Sequence, residues 1–421
     1  METVRLDREI HRTTAPNGVV VVSERVPTVR SVATGIWVRT ASVHEARPKM
    51  GVSHLLEHMV FKGTERRSAQ EIALALESRG GSLDAYTSRD TTAFQARVLD
   101  RDLPLAVDVL TDLVRRPVLR EADLDLERKV ILEEISTVDD TPDDLVFDLA
   151  AEALWPGHGY GYSILGTRDT VGSLGVADLK ALHERAYVPR NCIIAAAGNV
   201  EHERFVALLG EHGWFEGTAA DGDPPEAAPV PPAVRAGTLR RDKDSAQTHI
   251  VFATDTVPFA DDRKFALLVL SNILGGGMSS RLFQRVREEL GLAYGVYAYT
   301  SFFRTQGVLG VYVGTQPASA EQAAAAIRTE YDKLAREGLR GEALVDAKRQ
   351  TQGQLMLALE SPGARMYRLA GAEIYGEPYK SLDDLLAEVT ALTDDSVAAV
   401  AAEFFAPARQ TVTWLGPAAA R

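Results

Sequence analysis

The segment His54-Leu55-Leu56-Glu57-His58 combines residues that bind metal ions with one that can move a proton. Apolar residues recur around it at helical spacing, which predicts a buried helix. Histidines at positions i and i+4 point from one face of a helix, so both rings can reach a single ion. Glu57, three residues after His54, lies on the same side and can reach a water molecule on that ion. The segment therefore predicts a metal site with its own general base.

A catalytic metal of this kind usually needs a third protein ligand. The single cysteine, Cys192, excludes a site made of several thiolates, so histidines and carboxylates must hold the ion. Residues 121–138 read as a helix in which Glu127 and Glu134 are two turns apart and share one face, with Val130 and Ile131 predicted on the buried side. A solvent-exposed helix carries glutamates just as readily, so the spacing alone leaves both interpretations open.

The elements that must position these residues recur along the chain of 421 residues. A proline-rich linker at 215–237 divides it into a half at 1–214 and a half at 238–421. Each half shows strands, an apolar helix, a β-rich stretch and further helices in the same order. The sequence thus predicts an α+β fold of two duplicated halves, each a mostly antiparallel sheet packed with helices. Only the first half contains the His-x-x-Glu-His segment.

Charge and hydropathy exclude several classes of function. Lysine and arginine total 46 against 59 acidic residues, so the net charge is −13, which argues against nucleic acid and favours cationic ligands. The sequence has no apolar run of about 18 residues, the length that crosses a membrane. We therefore expect a cytoplasmic protein with no membrane partner.

The stretch HLLEHMVFKGT, the 76 residues from His58 to Glu134 and the context ERKVILEEI together resemble the inverse-zincin metallopeptidases of the pitrilysin (M16) family. The similarity is greatest to the short-chain branch, typified by the mitochondrial processing peptidase β subunit and its bacterial relatives. It implies a LuxS/pitrilysin-like fold and one Zn²⁺ per chain, bound by His54, His58 and Glu134. Glu57 would be the general base, and Glu127 would orient a ligand.

The same resemblance implies a role for Arg287 and Tyr294 in the second half. They match the residues that contact the substrate backbone at the scissile carbonyl, although an ordinary helix end followed by a strand also explains them. Long family members carry four such units, whereas this chain supplies two. The resemblance therefore implies a homodimer, or a heterodimer with a homologous chain, in which Arg287 and Tyr294 serve the neighbouring zinc site.

Further matches concern the substrate. Asp84, Ala85 and Tyr86 resemble the edge strand that pairs with an extended peptide, although the family often has Asn at the position of Asp84. Phe61 matches a residue lining the pocket after the cleaved bond, but a core role explains it equally well. The carboxylates of Asp144 and Asp148 match a pair that binds an arginine before the cleavage site. The alternative there is an acidic helix start after Pro142.

The sequence therefore predicts a zinc endopeptidase that hydrolyses extended or unfolded peptides, with a basic residue expected near the cleavage site. In this mechanism Glu57 assists the attack of zinc-bound water on the peptide carbonyl. A catalytically silent core subunit of the same family is the alternative from another class. It ranks lower because His54, Glu57, His58 and Glu134 are all present. A zinc hydrolase of small amides is a third possibility.

Overall fold

The computed structural model describes residues 1–217, 228–231, 234 and 236–418, so most of the predicted linker at 215–237 lies outside the described residues. The strands are β1 (Glu2–Asp7), β2 (Ile10–Thr14), β3 (Val20–Arg25), β4 (Ser31–Val38), β5 (Ser82–Thr87), β6 (Thr92–Leu99), β7 (Cys192–Gly198), β8 (Gly237–Asp242), β9 (Thr248–Thr256), β10 (Ala293–Phe302), β11 (Gly307–Thr315) and β12 (Thr411–Gly416). The α-helices are α1 (Val52–Val60), α2 (Ala69–Glu77), α3 (Leu103–Arg115), α4 (Glu121–Asp140), α5 (Pro142–Leu154), α6 (Arg168–Ser173), α7 (Val176–Ala186), α8 (His202–Glu211), α9 (Lys264–Gly275), α10 (Ala320–Glu337), α11 (Glu342–Ala358), α12 (Pro362–Tyr375), α13 (Leu382–Ala391) and α14 (Asp394–Phe404).

Contacts divide the chain into two compact units, each built from three segments. The first unit contains Met1–Ile135, Ser163–Ala228 and Ala358–Ser381. The second contains Ser136–Tyr162, Pro229–Leu357 and Leu382–Arg421. The sequence predicted continuous halves at 1–214 and 238–421, whereas α5 belongs to the second unit and α12 to the first. An amphipathic helix shows in sequence that it has an apolar face, but not which sheet covers that face.

The first unit is built on a seven-stranded sheet with the order β1-β2-β3-β7-β4-β6-β5. All neighbours in it are antiparallel except β3 and β7. The sheet is covered on both faces, so alternate residues of β7 enter different cores. Ile194 and Ala196 pack with the helices of one face, while Ile193, Ala195 and Ala197 pack with α12 on the other. This double burial explains the continuous apolar run CIIAAAG.

The helix α12 covers its face of this sheet with an apolar stripe and with ion pairs at the stripe's edges. The stripe consists of Met366, Leu369, Ala370 and Ile374, all buried. Arg12 on β2 donates two hydrogen bonds to the Glu373 carboxylate, at 2.7 and 3.1 Å. Thus the first unit includes a segment far along the chain as part of its core.

The second unit repeats the strand order of the first. Its sheet has the order β10-β11-β9-β12-β8, and β12 pairs with β8 in parallel while the other neighbours are antiparallel. The matching part of the first sheet is β5-β6-β4-β7-β3, with its one parallel pair at the same place. This correspondence confirms the predicted fold of two similar α+β halves. In the second unit α9 takes the place of α1, and the sequence of α9 contains no histidine and no acidic residue.

Within the second unit α5 packs against β9 and β12, and its buried residues Val146, Ala150 and Leu154 recur every fourth position. No helix in the described part of the chain is long and apolar enough to cross a membrane.

Candidate metal centre

The helix α1 carries three of the predicted site residues on a short, well-anchored segment. Its apolar positions Val52, Leu55, Leu56, Met59 and Val60 are all buried in the core of the first unit. This burial fixes the rotation of the helix about its axis. The side chains of His54 and His58 are then 12% and 20% exposed, and their ring centroids lie 4.6 Å apart. The spacing i, i+4 therefore brings the two rings together, as the sequence predicted.

The helix α4 contributes the two predicted glutamates. Its buried residues are Leu124, Glu127, Ile131 and Ile135, while the Glu134 side chain is 39% exposed. The expectation that Val130 lies on the buried side was wrong, because this side chain is 44% exposed. The buried positions follow each other at intervals of three and four, and Val130 is rotated about 100° from Ile131.

The donor atoms of His54, His58 and Glu134 lie within 4.8 Å of one another, and they form the group of three potential metal ligands found in the described part of the chain. Nε2 of His54 is 3.7 Å from Oε2 of Glu134, and Nε2 of His58 is 3.7 Å from Oε1. Two ligands of a tetrahedral zinc ion, each bound at about 2.1 Å, are roughly 3.4 Å apart. Both histidine–glutamate distances are thus close to the spacing of two ligands on one zinc ion.

The protonation of the site suits a cation. Burial, together with the neighbouring His58, lowers the pKa of His54 to about 4, so its imidazole is neutral near pH 7 and offers a lone pair. Glu134 adds a carboxylate to the two imidazole rings. Two imidazoles and one carboxylate form a donor set that zinc accepts in catalytic sites.

Glu57 is held next to this group. It is 8% exposed, and burial raises its pKa above the ordinary range, while a hydrogen bond from Thr87 opposes the shift. The Thr87 hydroxyl donates this bond to Oε2 of Glu57 at 2.5 Å. The charges of His58 and Glu134 are close enough to affect the same pKa. Glu57 therefore has the environment of a proton acceptor whose affinity for the proton is increased.

Thr87 was not among the residues predicted from sequence. It ends β5, two residues after Ala85, so both side chains point to the same face of the sheet. The alternation of side chains along a strand can be read from the sequence, so it could have indicated Thr87 once Ala85 was predicted to face the site. Lys62 was also missed: its ammonium group is 2.5 Å from Oε1 of Glu127, and it follows His58 by one helical turn. The other oxygen of Glu127 lies 3.1 Å from Nδ1 of His58.

The predicted substrate strand is β5, at one edge of the first sheet. It pairs with β6 and has no second neighbour among the described strands. Asp84 is exposed, Ala85 packs on the helix side, and the hydroxyl of Tyr86 accepts a hydrogen bond from Nε1 of Trp37 at 3.1 Å. Phe61 follows the end of α1 and is half-buried, with its ring centroid 6.4 Å from that of Phe94. Phe61 thus packs against the core, while part of its side chain remains exposed to solvent.

Arg287 and Tyr294 belong to the second unit. Arg287 lies in a π-helical segment, Phe283–Glu289, and Tyr294 is the second residue of β10. The guanidinium carbon of Arg287 is 4.6 Å from the ring centroid of Tyr294, and this ring is 82% exposed. The two predicted residues therefore form one contiguous surface feature, stabilised by a cation–π contact.

Asp144 and Asp148 lie on α5, also in the second unit. Asp144 is exposed and Asp148 is half-buried. The charges of Asp143 and Asp144 help to raise the pKa of Tyr297, although burial is the larger cause. The acidic start of α5 thus lies near a tyrosine-rich face of β10 and β11.

The fold and the site define a class of protein: two similar α+β units, of which one carries a His-x-x-Glu-His helix and a downstream glutamate. Two family models match the chain. The model described as Insulinase (Peptidase family M16) matches residues 20–168, and the model described as Peptidase M16 inactive domain matches residues 173–351.

Relatives match over nearly the whole chain. An uncharacterized zinc protease of Streptomyces coelicolor is 39% identical over 415 residues, which is 97% of this chain and 90% of that protein. The uncharacterized zinc protease YmxG of Bacillus subtilis is 38% identical over 396 residues, 94% of this chain and 96% of the relative. The chain belongs to peptidase family M16, as the resemblance indicated.

Solved structures agree on the fold. A peptidase M16 inactive domain from Pseudomonas fluorescens superposes with a TM-score of 0.90 at 21% identity and covers 98% of each chain. A protease from Helicobacter pylori gives a TM-score of 0.89 at 22% identity, covering 97% of this chain and 99% of its own. At these identities the likeness concerns the fold alone.

Proposed function

We propose that the protein is a zinc-dependent endopeptidase that hydrolyses extended or unfolded peptides. The observation that carries this proposal is the approach of the donor atoms of His54, His58 and Glu134 to within 4.8 Å of one another. Glu57, on the same helix as the two histidines, supplies the proton acceptor that peptide hydrolysis requires. The names of the relatives, zinc proteases, support both the metal and the reaction.

One zinc ion per chain would be held by His54, His58 and Glu134. When bound in this way, zinc supplies a Lewis acid that lowers the pKa of a water molecule toward about 7 and polarises a peptide carbonyl. Glu127 accepts a hydrogen bond from Nδ1 of His58, so Nε2 is the nitrogen directed at Glu134.

Glu57 moves the proton. Its carboxylate accepts a proton from the attacking water as the new C–O bond forms, and it returns that proton to the amine nitrogen as the C–N bond breaks. The raised pKa of Glu57 favours this role, because a carboxylate with a pKa nearer neutrality both accepts and releases a proton readily. Thr87 limits the shift and fixes the direction of the carboxylate.

The free edge of β5 supports an extended substrate. A peptide that adds as a further strand gains main-chain hydrogen bonds that do not depend on its sequence. Because Ala85 and Thr87 face the side of Glu57, alternate side chains of such a peptide would also face that side. Phe61, half-buried at the end of α1, favours an apolar or aromatic residue after the cleaved bond.

A basic residue near the cleavage site is part of the proposal. Residues 133–148 contain seven acidic residues and no basic residue, and Asp144 and Asp148 lie one turn apart on α5. Two carboxylates at that spacing suit a guanidinium group. Raising the salt concentration should then weaken the binding of basic peptides more than that of neutral peptides.

We further propose that two chains assemble, as a homodimer or with a homologous chain, and that Arg287 and Tyr294 of one chain serve the zinc site of the other. Their mutual contact and the exposure of Tyr294 support a role in contacting another molecule. The cytoplasmic location expected from the sequence stays a prediction.

The test of the activity compares quenched fluorescent peptides with a small amide substrate. Wild-type protein should cleave an extended peptide containing a basic residue, lose this activity with a chelator and regain it with zinc. Glu57→Gln should keep one zinc per chain and lose turnover, whereas Glu65→Gln, an exposed control, should behave as wild type. Peptide cleavage by zinc-loaded Glu57→Gln would refute the assignment, and cleavage of the small amide alone would favour the amidase.

The assembly has its own test. Native mass spectrometry gives the number of chains and the metal content together. Mixing Glu57→Gln chains with chains carrying Arg287→Ala and Tyr294→Phe should restore activity, to about a quarter of wild type with random pairing, if the residues act between chains. A mixture that stays inactive, although the mixed dimer forms, would contradict action between chains.

A further inference from the structure

The helix α1 begins with an unusual cap. The first four amide groups of a helix have no acceptor within it, and a Ser, Thr, Asn or Asp at the capping position usually satisfies one of them. Here that position is Gly51, which has no side chain to offer. Instead, Oε2 of Glu45 accepts a hydrogen bond from the Gly51 amide at 2.7 Å, and Oε1 accepts one from the Ser53 amide at 2.8 Å.

The geometry at Gly51 explains why the cap comes from elsewhere. Gly51 has a φ of +89°, a conformation that side chains rarely adopt. A Cβ atom there would lie 2.6 Å from the carbonyl oxygen of Leu165 and 2.9 Å from Cα of Gly166. No ordinary capping residue fits at this position, so the start of α1 depends on a carboxylate six residues upstream.

The consequence concerns the metal ligands directly. Ser53, whose amide Glu45 holds, immediately precedes His54, so the two hydrogen bonds fix the turn from which His54 projects. A negative charge at a helix N-terminus also stabilises the helix through its dipole. We propose that Glu45 is a positioning residue of the metal site, which sets the direction of the first histidine ligand and thereby the affinity for zinc. This inference rests on the proposed function.

The surroundings of Glu45 support this role. It lines a cavity of about 400 Å³, together with His44, Lys49, Asp178 and Arg185. The ammonium group of Lys49 forms an ion pair with the carboxylate of Asp178, 2.7 Å away. Burial raises the pKa of Glu45 to about 7, while the hydrogen bonds from the Ser53 and Gly51 amides and, to a smaller extent, the charge of Arg89 lower it. The amides at the start of α1 therefore stabilise the ionised form, and this form in turn stabilises the start of α1.

The experiment measures zinc affinity by competition with a chromogenic chelator, using the full-length protein. Glu45→Gln places an NH₂ group where one amide needs an acceptor, so we expect a loss of about tenfold or more in zinc affinity. The matched control is Glu71→Gln. Glu71 accepts hydrogen bonds at 2.8 and 2.7 Å from the amide and hydroxyl of Ser68, at the start of α2, a helix without metal ligands. This variant should bind zinc within about twofold of wild type.

A second variant keeps the proposal testable if Glu45→Gln does not fold. Glu45→Asp retains the charge but shortens the side chain, so the carboxylate reaches fewer of the amides. The variant protein should therefore bind zinc more weakly than wild type. Wild-type affinity in either folded variant, or an equal loss in Glu71→Gln, overturns the role of Glu45. Wild-type protein that binds no zinc would instead overturn the proposed function, so the two failures are distinguishable.

Discussion

Nδ1 of His58 donates a hydrogen bond to Oε2 of Glu127 over 3.1 Å, while Nε2 of the same ring lies 3.7 Å from Glu134. The two glutamates come from one helix and contact opposite nitrogens of one imidazole. Because the Nδ1 proton is engaged by Glu127, the lone pair of a neutral ring is on Nε2, the nitrogen directed toward Glu134. The ammonium group of Lys62 lies 2.5 Å from the other oxygen of Glu127 and balances the charge of this carboxylate.

Replacing Glu127 with Gln should lower zinc affinity by about 10- to 100-fold. The neutral amide is a weaker acceptor for the His58 proton, and it leaves the ammonium group of Lys62 without its partner. Competition with a chelator measures the effect. Glu133→Gln, an exposed position on the same helix, should leave zinc affinity unchanged. Equal affinities for the two variants would show that Glu127 does not act on the metal through His58.

Replacing Thr87 with Val should lower kcat about tenfold, because a hydrogen bond to a charged group contributes about 1.5–3 kcal/mol. Zinc content should not change, since Thr87 contacts Glu57 and not the ligands. Thr87→Ser, which keeps the hydroxyl, should retain activity. The hydrogen bond lowers the pKa of Glu57, so its loss raises that pKa and moves the acid limb of the pH–rate profile to higher pH. A Val variant as active as the Ser variant would exclude this role.

The juxtaposition of the two candidate histidine ligands was predictable because it depends on local spacing, whereas the choice of Glu134 as the third ligand rested on the family resemblance. His54 and His58 share one face of one helix, and Glu127 and Glu134 share one face of another. The two-unit fold followed from the repeated order of elements, and β7-β4-β6-β5 and β12-β9-β11-β10 confirm it. Local periodicity and element order are properties that a sequence displays directly.

Contacts between distant segments were not predictable in the same way. Nothing in the pattern of α12 indicates that it packs on the sheet of the first unit rather than on that of its own half. Likewise Glu45 caps α1 only because the preceding loop returns to the start of the helix. Gly51 requires an acceptor from another residue because of its backbone conformation, which the sequence does not display. The docking of α12 is a contact between distant segments and the Glu45 cap is a contact within one loop, and neither leaves a periodic signal in a sequence.

The docking of α12 on the first sheet gives a prediction of stability. Glu24 on β3 is 6% exposed and contacts Arg365, and Arg368 lies 3.5 Å from its other oxygen. Glu24→Ala removes the carboxylate that Arg365 and Arg368 share, although Arg368 keeps hydrogen bonds to the Lys380 carbonyl and the Tyr379 hydroxyl. The change should lower the free energy of unfolding by about 3 kcal/mol.

Urea unfolding of zinc-loaded protein measures this loss. The control is Glu9→Ala, which removes an ion pair with Arg25 at 3.9 Å in which both side chains are 41% exposed. This change should cost less than about 1 kcal/mol. Similar losses in Glu24→Ala and Glu9→Ala would mean that the buried carboxylate does not anchor α12.

His202, at the start of α8, gives a prediction of pH dependence. Its Nδ1 lies 2.8 Å from the Ser23 hydroxyl and its Nε2 2.7 Å from the Thr13 hydroxyl, in a buried position beside His11. Burial, together with His11, lowers the pKa of His202 to about 4 from its ordinary value of 6.5. The folded protein therefore keeps the ring neutral at a pH where the unfolded chain binds a proton.

This contribution to stability is complete above pH 6.5 and decreases as the pH falls to about 4. Up to about 3 kcal/mol is lost in that window. His202→Gln cannot titrate, and its side-chain amide can still bond both hydroxyls. The difference in free energy of unfolding between wild type and His202→Gln should thus change by that amount from pH 7 to pH 4, while acid effects on the metal site cancel. Parallel stability curves for the two proteins would contradict the prediction.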